Sequence, residues 1–223
     1  MTSASVAASP VLPTPDCRLC PRLVAYRTDN RAAHPDWFNG AVPSFGTLDA
    51  RLLVVGLAPG VRGANRTGRP FTGDYAGVLL YQTLLKFGLA HGQYAADPAD
   101  GMTLRHTRVT NAVRCVPPGN LPTPAEITAC NPFLLAELTA MPHVRAVLAL
   151  GGVAHKAVLR ARGLRASHVP FQHGALHDLP GGPLLADSYH VSRLNTNTGR
   201  LTTAMFEAVV ADIVARIDPR GGV

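Results

Sequence analysis

Four short, largely apolar segments divide the chain and predict buried strands. They cover Arg51–Leu57, Thr107–Val113, Val144–Leu150 and Leu184–Tyr189. Short apolar runs bounded by turn residues are typical of strands that are buried on both faces of a sheet.

Helical periodicity fills the intervals between these strands. The predicted helices cover Asp74–Leu89, Pro124–Met141, Gly151–Arg162 and Gly199–Ile217. The second helix carries a full start signal: Thr123 as cap, Pro124 at the first position and Glu126 at the capping-box position. Alternation of strands and helices predicts an α/β fold with a mainly parallel sheet of four strands, covered by helices on both faces.

Composition indicates a single globular domain. Of 223 residues, 47% are hydrophobic and 16% are charged, which excludes a disordered chain or a coiled coil. No stretch approaches the roughly 20 apolar residues of a membrane span. Residues 1–15 are predicted to be a flexible or extended tail, and 16–223 a single domain. The N-terminus lacks the n-region and h-region of a secretory signal, so we expect a cytoplasmic protein.

Almost all of the positively charged side chains are arginine. Lys and Arg together number 21 against 14 acidic residues, and only Lys86 and Lys156 are lysine, so 19 of the 21 are arginine. Arginine suits bidentate recognition of phosphate. A GC-rich genome produces the same bias, so charge alone favours nucleic-acid binding only modestly.

Three loops are expected to share one rim of the sheet. In parallel α/β sheets, ligands bind beyond the carboxyl ends of the strands. The loops that reach this rim are Ala58–Gly73, Arg114–Thr123 and His190–Arg200, which are also the richest in Gly, Asn, Arg and Pro.

The four cysteines have metal-ligand spacing. Cys17 and Cys20 form a C-x2-C pair, and Cys115 and Cys130 follow after 94 residues as C-x14-C. A C-x2-C pair directs two sulfurs to one metal or cluster. Buried free thiols with a redox or disulfide pair are the alternative. The spacing does not choose between zinc and a 4Fe–4S cluster.

The loop after the first predicted strand combines glycines with candidate chemistry. It lacks both G-x-G-x-x-G and the G-K-[ST] of a P-loop, which disfavours a nucleotide-binding site. Phe71 has the flat ring needed to stack on a base, and Asp74 stands at a helix start. The alternatives are that Phe71 fills the core and Asp74 only caps the helix.

Three motifs resemble one family. GLAPG-x5-NRTGRPFTGD, NAVRC-x-PPGN-x-P-x-P and HVSRLNTNTGRLT are similar to the type 5 uracil-DNA glycosylases of the uracil-DNA glycosylase superfamily. The resemblance runs from Cys17 to about Met205. It implies a Rossmann-like three-layer α/β/α fold, a 4Fe–4S cluster on the four cysteines rather than zinc, and excision of bases from DNA.

The resemblance also implies a base pocket. A glycosylase must flip its target nucleotide out of the stack and read the base edge. Phe71 is then the stacking platform, Asn111 reads the base edge, and Gly56 and Ala58 contribute backbone contacts. His190 corresponds to the histidine of the second superfamily motif and approaches the flipped base. Asn111 as a strand-end cap and His190 as a structural hydrogen-bonder are the alternatives.

Cleavage of an N-glycosidic bond builds positive charge on the sugar, which a carboxylate can stabilise. Other branches of the superfamily carry a polar or acidic residue directly after the first motif glycine, whereas this chain has Leu57. The resemblance assigns the carboxylate to Asp74. Asn120 is a candidate for assisting catalysis or positioning water, or else an ordinary turn residue. Apolar Leu57 predicts a pocket that also accepts hypoxanthine or xanthine. The motif loops contain no lysine, which disfavours a Schiff-base lyase step.

A DNA surface is expected around this pocket. The candidate contacts are Arg62, Arg66, Arg69, Arg193, Asn195 and Arg200, with Leu194 as a wedge that fills the vacated stack. Such side chains suit phosphate contacts and minor-groove insertion. We expect a nucleoid-associated monomer acting on DNA that contains uracil or other deaminated bases. A non-catalytic DNA-binding protein on the same fold, and a metal-stabilised enzyme of small molecules, are the rival hypotheses.

Overall fold

A computed structural model describes residues 10–217 and shows a central sheet between two helical layers. The helices are α1 Pro21–Ala33, α2 Ala64–Thr67, α3 Tyr75–Lys86, α4 Pro124–Thr139, α5 Gly152–Ala161, α6 Arg193–Asn197 and α7 Thr203–Ile217. The strands are β1 Leu52–Gly56, β2 Ala90–His91, β3 Thr103–Leu104, β4 Thr107–Asn111, β5 Ala146–Leu150, β6 Leu176–Asp178 and β7 Leu184–Ser188. No helix among these residues is long and apolar enough to cross a membrane.

The sheet has five strands in the order β4-β1-β5-β7-β6, rather than the predicted four. The four predicted strands are present and pair in parallel. The fifth, β6, is a short antiparallel edge strand that pairs Leu176 with Ala186. It was missed because its sequence, LHD, forms no apolar run, and an edge strand needs none. β2 and β3 form a separate hairpin pair.

Alternate residues of the central strand face two different cores, which confirms the three-layer α/β/α architecture. Leu52 and Val54 of β1 join a core that α3 and α7 cover, while Leu53 and Val55 face the helices α4 and α5. All four side chains are fully buried. A two-sided burial of this kind explains why the strand reads as a continuous apolar run.

Helix starts follow the local signals, with one difference. The Thr123 side chain accepts the Glu126 N–H and the Glu126 carboxylate accepts the Thr123 N–H, which confirms the capping box. The predicted helix Gly199–Ile217 begins only at Thr203 in α7. The preceding loop contains the short helix α6 instead, which the Ser192 hydroxyl caps.

A buried ion cluster holds α4 against the sheet edge. Glu137 of α4 is fully buried, and its carboxylate accepts hydrogen bonds from Arg108 of β4, with Nε at 2.5 Å, and from Arg114. Arg114 directly precedes Cys115, so this cluster also fixes the start of the loop that follows β4.

The described part of the predicted tail contacts the domain. The Pro15 carbonyl accepts the Ala41 N–H at 2.9 Å, and the Thr14 carbonyl accepts the Cys17 N–H at 3.0 Å. Residues 1–9 of the predicted tail lie outside the described residues.

Candidate active site

A cavity of about 590 Å³ opens beyond the carboxyl ends of the parallel strands, where the three predicted loops meet. Eight of the residues singled out from the sequence line it: Ala58, Phe71, Asp74, Asn111, Asn120, His190, Arg193 and Leu194. Leu57 lines the same cavity and gives it an apolar wall.

The Phe71 ring belongs to both the core and the cavity. It is only 7% exposed and packs within the α3 and α7 core, yet it also lines the cavity. Its ring centroid lies 6.2 Å from that of His190. The backbone of Phe71 has φ +52°, a left-handed conformation that side-chain-bearing residues rarely adopt.

Asn111 lines the cavity and carries a buried acceptor that no described residue uses. It is the last residue of β4 and is 3% exposed, and its Oδ1 has no hydrogen-bond partner among the described residues. Gly56 makes this arrangement possible, because a Cβ there would lie 2.4 Å from both Asn111 Oδ1 and the Phe71 ring. Gly56 therefore does not line the cavity; it lies behind Asn111 and Phe71, whose side chains do.

One carboxylate oxygen of Asp74 caps a helix, and the other takes no part in that cap. Its Oδ1 accepts the Ala76 N–H at 3.2 Å at the start of α3. Its Oδ2 lies against the backbone of Gly60 and Gly63, where a Cβ would approach it to 2.8 and 2.1 Å. Burial raises the pKa of the Asp74 carboxyl above its usual value. The sequence identified Asp74 but gave no reason to single out Gly63.

His190 is a neutral imidazole at physiological pH. Burial lowers its pKa to about 4, and its ring makes no hydrogen bond to a described residue. Its backbone carbonyl accepts the Asn195 side-chain amide at 2.8 Å. Asn195, predicted to contact DNA, therefore uses its donor to hold the His190 loop. Asn120 is exposed at the opposite rim with φ +58°.

Most of the predicted DNA contacts are exposed near the cavity. Arg62, Arg66, Arg193 and Arg200 are exposed, and Leu194 is exposed to 72%. The Arg200 guanidinium lies 4.6 Å from the centroid of the Tyr189 ring.

Arg69 is the exception, and its prediction as a DNA contact is wrong. It is 6% exposed, and its Nη1 and Nη2 donate to the two oxygens of Asp100 at 2.8 and 2.7 Å. A guanidinium whose charge is already neutralised inside the protein cannot also reach a phosphate. The two residues lie 31 positions apart, so no local pattern pairs them.

The four cysteines converge at one place. Cys17 and Cys20 precede α1, Cys115 follows β4 and Cys130 lies within α4, and all four line one small pocket. Burial raises the pKa of the Cys115 thiol to about 12 and that of the Cys130 thiol to about 11. Burial therefore favours the neutral thiol at both positions, and a bound metal would favour the thiolate.

Four cysteines on one small pocket fit either of the two candidate metals. A tetrahedral zinc ion with Zn–S bonds of about 2.3 Å holds its sulfurs about 3.8 Å apart. In the described chain, no three cysteine sulfurs lie within 4.8 Å of one another. An iron–sulfur cluster would likewise be held by four thiolates. The Arg27 Nη1 lies 3.5 Å from Cys115 Sγ, a contact that the sequence did not predict.

A second buried polar cluster surrounds Asp187 of β7, and the sequence analysis did not predict it. Asp187 Oδ1 contacts His155 Nδ1 at 2.7 Å, and Oδ2 contacts His177 Nε2 at 3.0 Å. The His155 Nε2 meets the Val169 carbonyl at 2.8 Å. Both ring nitrogens of His155 therefore face acceptors, which is the environment of a protonated imidazole.

Comparison with known proteins identifies the family of the chain. The family model of the uracil DNA glycosylase superfamily matches residues 43–214. The chain therefore belongs to the uracil DNA glycosylase superfamily.

Within that superfamily, three curated relatives bear the name type-5 uracil-DNA glycosylase. The one from Thermus thermophilus is 50% identical, over 88% of this chain and 91% of its own. The one from Mycobacterium leprae is 46% identical, over 88% and 89%. The one from Mycobacterium bovis is 44% identical, over 86% and 75%. The resemblance to the type 5 branch is thereby confirmed.

Proposed function

We propose that this protein removes uracil from DNA by hydrolysing the N-glycosidic bond of a nucleotide flipped out of the stack. One observation carries the proposal: Asn111, whose buried Oδ1 has no partner among the described residues, lines a cavity together with Phe71 and Asp74. A base edge that presents an N–H would supply the missing hydrogen bond. The names of the three relatives support uracil as the base.

The residues divide the chemistry between them. Hydrolysis breaks the bond between the sugar C1′ and the base nitrogen, and the oxygen of water takes the place of the base. Asp74 stabilises the positive sugar and accepts the proton of the attacking water, with Asn120 positioning that water. Neutral His190 donates its ring N–H to a carbonyl oxygen of the departing base, where negative charge builds up. The proton taken from water ends on the free base.

The pocket also accepts other deaminated bases in this proposal. The wall next to the first motif glycine is the apolar Leu57, which makes no hydrogen bond that would select one base edge. Hypoxanthine and xanthine share with uracil a carbonyl next to a ring N–H, which is the pattern Asn111 can read.

We propose a 4Fe–4S cluster on Cys17, Cys20, Cys115 and Cys130. The convergence of these four cysteines on one small pocket supports it. When bound, the cluster cross-links the segment before α1, the loop after β4 and α4. Because Asn120 lies in that loop, the cross-link would fix one rim of the cavity.

The exposed Arg62, Arg66, Arg193 and Arg200 support contacts with DNA phosphates, and Leu194 supports insertion into the vacated stack. In this proposal the enzyme is a monomer that acts on the DNA of the nucleoid.

Base release from duplexes carrying uracil, hypoxanthine or xanthine tests the activity, read as alkali-sensitive strand breaks. Asp74→Asn should slow release by about 10²–10⁴-fold, the usual value of a general acid–base group. Asparagine caps helices as well as aspartate does, so the fold is preserved. Asp212→Asn, on the exposed face of α7, is the matched control.

One result would overturn the role of Asp74, and another would overturn the activity itself. Full activity of Asp74→Asn would reduce Asp74 to a helix cap. A folded wild-type protein that binds DNA with strong salt dependence but releases no base would be the non-catalytic DNA-binding alternative.

Metal analysis tests the cofactor separately. Protein purified without oxygen should contain iron and sulfide and show a broad visible absorption band. Cys130→Ala should remove that band. Stoichiometric zinc in place of iron would refute the cluster.

A further inference from the structure

The backbone at Phe71 is held in a conformation it would not keep alone. With φ at +52°, its Cβ is crowded against its own backbone. Such outliers persist only where the surroundings over-determine them. The stacking ring is thus placed by its neighbours rather than by its own preference.

Two tyrosine hydroxyl groups donate hydrogen bonds to the backbone carbonyls of Pro70 and Phe71. Tyr81 Oη donates to the Pro70 carbonyl at 2.5 Å, and Tyr94 Oη donates to the Phe71 carbonyl at 3.1 Å. Gly77 leaves room for the second contact, because a Cβ there would lie 1.7 Å from the Phe71 oxygen and 2.3 Å from Tyr94 Oη.

The buried Arg69–Asp100 pair fixes the loop that carries Tyr94. The Asp100 carboxylate accepts hydrogen bonds from Nη1 and Nη2 of Arg69 and from the N–H groups of Ala95 and Met102. These bonds fold that loop onto the ion pair. Arg69 Nε in turn donates to Thr72 Oγ1 at 2.8 Å.

An aromatic box surrounds the Arg69 guanidinium. Its carbon lies 5.2, 5.7 and 5.9 Å from the ring centroids of Phe45, Tyr81 and Tyr94. One cation therefore joins the tyrosines to the segment on both sides of Phe71.

We propose that Tyr94 is a positioning residue for base binding, and that the Arg69–Asp100 pair acts through it. Together they lock Phe71 in its left-handed conformation, so that the ring forms the stacking face of the cavity. This inference rests on the proposed function. Without the Tyr94 hydroxyl, the Phe71 carbonyl loses its donor, and the backbone can relax and withdraw the ring.

Tyr94→Phe removes that hydroxyl and keeps the ring in the aromatic box, with Tyr26→Phe on α1 as the matched control. One lost hydrogen bond predicts an increase of about fivefold in the inhibition constant of free uracil and in KM, with kcat nearly unchanged. A merely structural role would lower the melting temperature without this split.

The double variant Tyr94→Phe/Phe71→Ala makes the test specific. Once the ring is absent, removal of the hydroxyl should have no further effect on uracil binding. A wild-type inhibition constant in Tyr94→Phe, or the same increase in the Phe71→Ala background, would overturn the proposal.

A crystal structure of Tyr94→Phe gives a readout that is independent of activity. We expect residue 71 to leave the left-handed region and its ring to shift. An unchanged φ and ring position would refute the lock even in an active glycosylase. A wild-type protein that releases no uracil would refute the proposed function, and the crystal structure would still decide the lock.

Discussion

Alanine at Gly63 should displace the Asp74 carboxylate, to which we assign the catalytic role, without unfolding the protein. The Cβ of an alanine at this position would lie 2.1 Å from Asp74 Oδ2 and 2.7 Å from its Cγ. The clashing atoms belong to the end of a side chain rather than to a strand or helix backbone. The carboxylate therefore moves, and the fold does not have to.

The size of the effect follows from the distance. Ordinary contact begins near 3.4 Å, so Oδ2 must retreat by about 1.3 Å, the difference between 3.4 and 2.1 Å. A misplacement of about 1 Å costs about 100-fold in rate. At Gly60 the corresponding distance is 2.8 Å, and the retreat is only about 0.6 Å. We expect Gly63→Ala to lower kcat about 100-fold and Gly60→Ala to lower it less.

Single-turnover release of uracil from a duplex measures the chemical step directly. Gly152→Ala is the matched control, because its Cβ would meet only Phe171 at 3.8 Å, an ordinary contact. Circular dichroism and thermal unfolding establish that each variant is folded. A wild-type rate in folded Gly63→Ala, or a larger loss in Gly60→Ala, would refute the placement of the reaction at Asp74 Oδ2.

Three further predictions concern buried charges. Burial lowers the pKa of His155, but the hydrogen bond and charge of Asp187 outweigh it and raise that pKa overall. The stability from this pair is therefore complete below about pH 6.5 and is lost as pH rises through the raised pKa. Urea denaturation at several pH values should show this loss, and it should be absent in His155→Gln. The single-turnover rate should show no step near pH 6.5, because His190 has a pKa of about 4. The rate should fall on the acid side at a pH above about 3.9, because burial raises the pKa of Asp74 above its usual value. A step near pH 6.5 that disappears in His190→Ala would contradict this. Glu137→Gln leaves two buried guanidinium groups without their carboxylate and should lower the free energy of unfolding by about 3–5 kcal/mol in chemical denaturation. A loss below about 1 kcal/mol would contradict the buried-pair argument.

Much of the candidate site could be read from the chain because strand ends and motifs are local. Asn111 ends β4 and His190 follows β7, and both ends reach the same edge of a parallel sheet. Phe71 and Asp74 stand in one motif loop between β1 and α3. Parallel pairing then brings these residues to one cavity, whatever their distance along the chain.

Partners that are distant in sequence could not be read in this way. Arg69 looks like any loop arginine until Asp100 is brought against it. His155, His177 and Asp187 show no ligand spacing. The pairing of β6 with β7 brings His177 to Asp187, and α5 brings His155 to the same carboxylate.

Local sequence signals predict the four parallel strands, the capping box of α4, the glycine-rich loop and the set of four cysteines. Each is encoded by periodicity, by turn chemistry or by motif spacing, which act over a few residues. Only the tertiary structure decided that Arg69 is internal, that Gly63 makes room for the Asp74 carboxylate and that Phe71 is held in a strained conformation. Those features depend on which groups packing brings within a few ångströms of each other, and contacts of that kind leave no periodic trace in the chain.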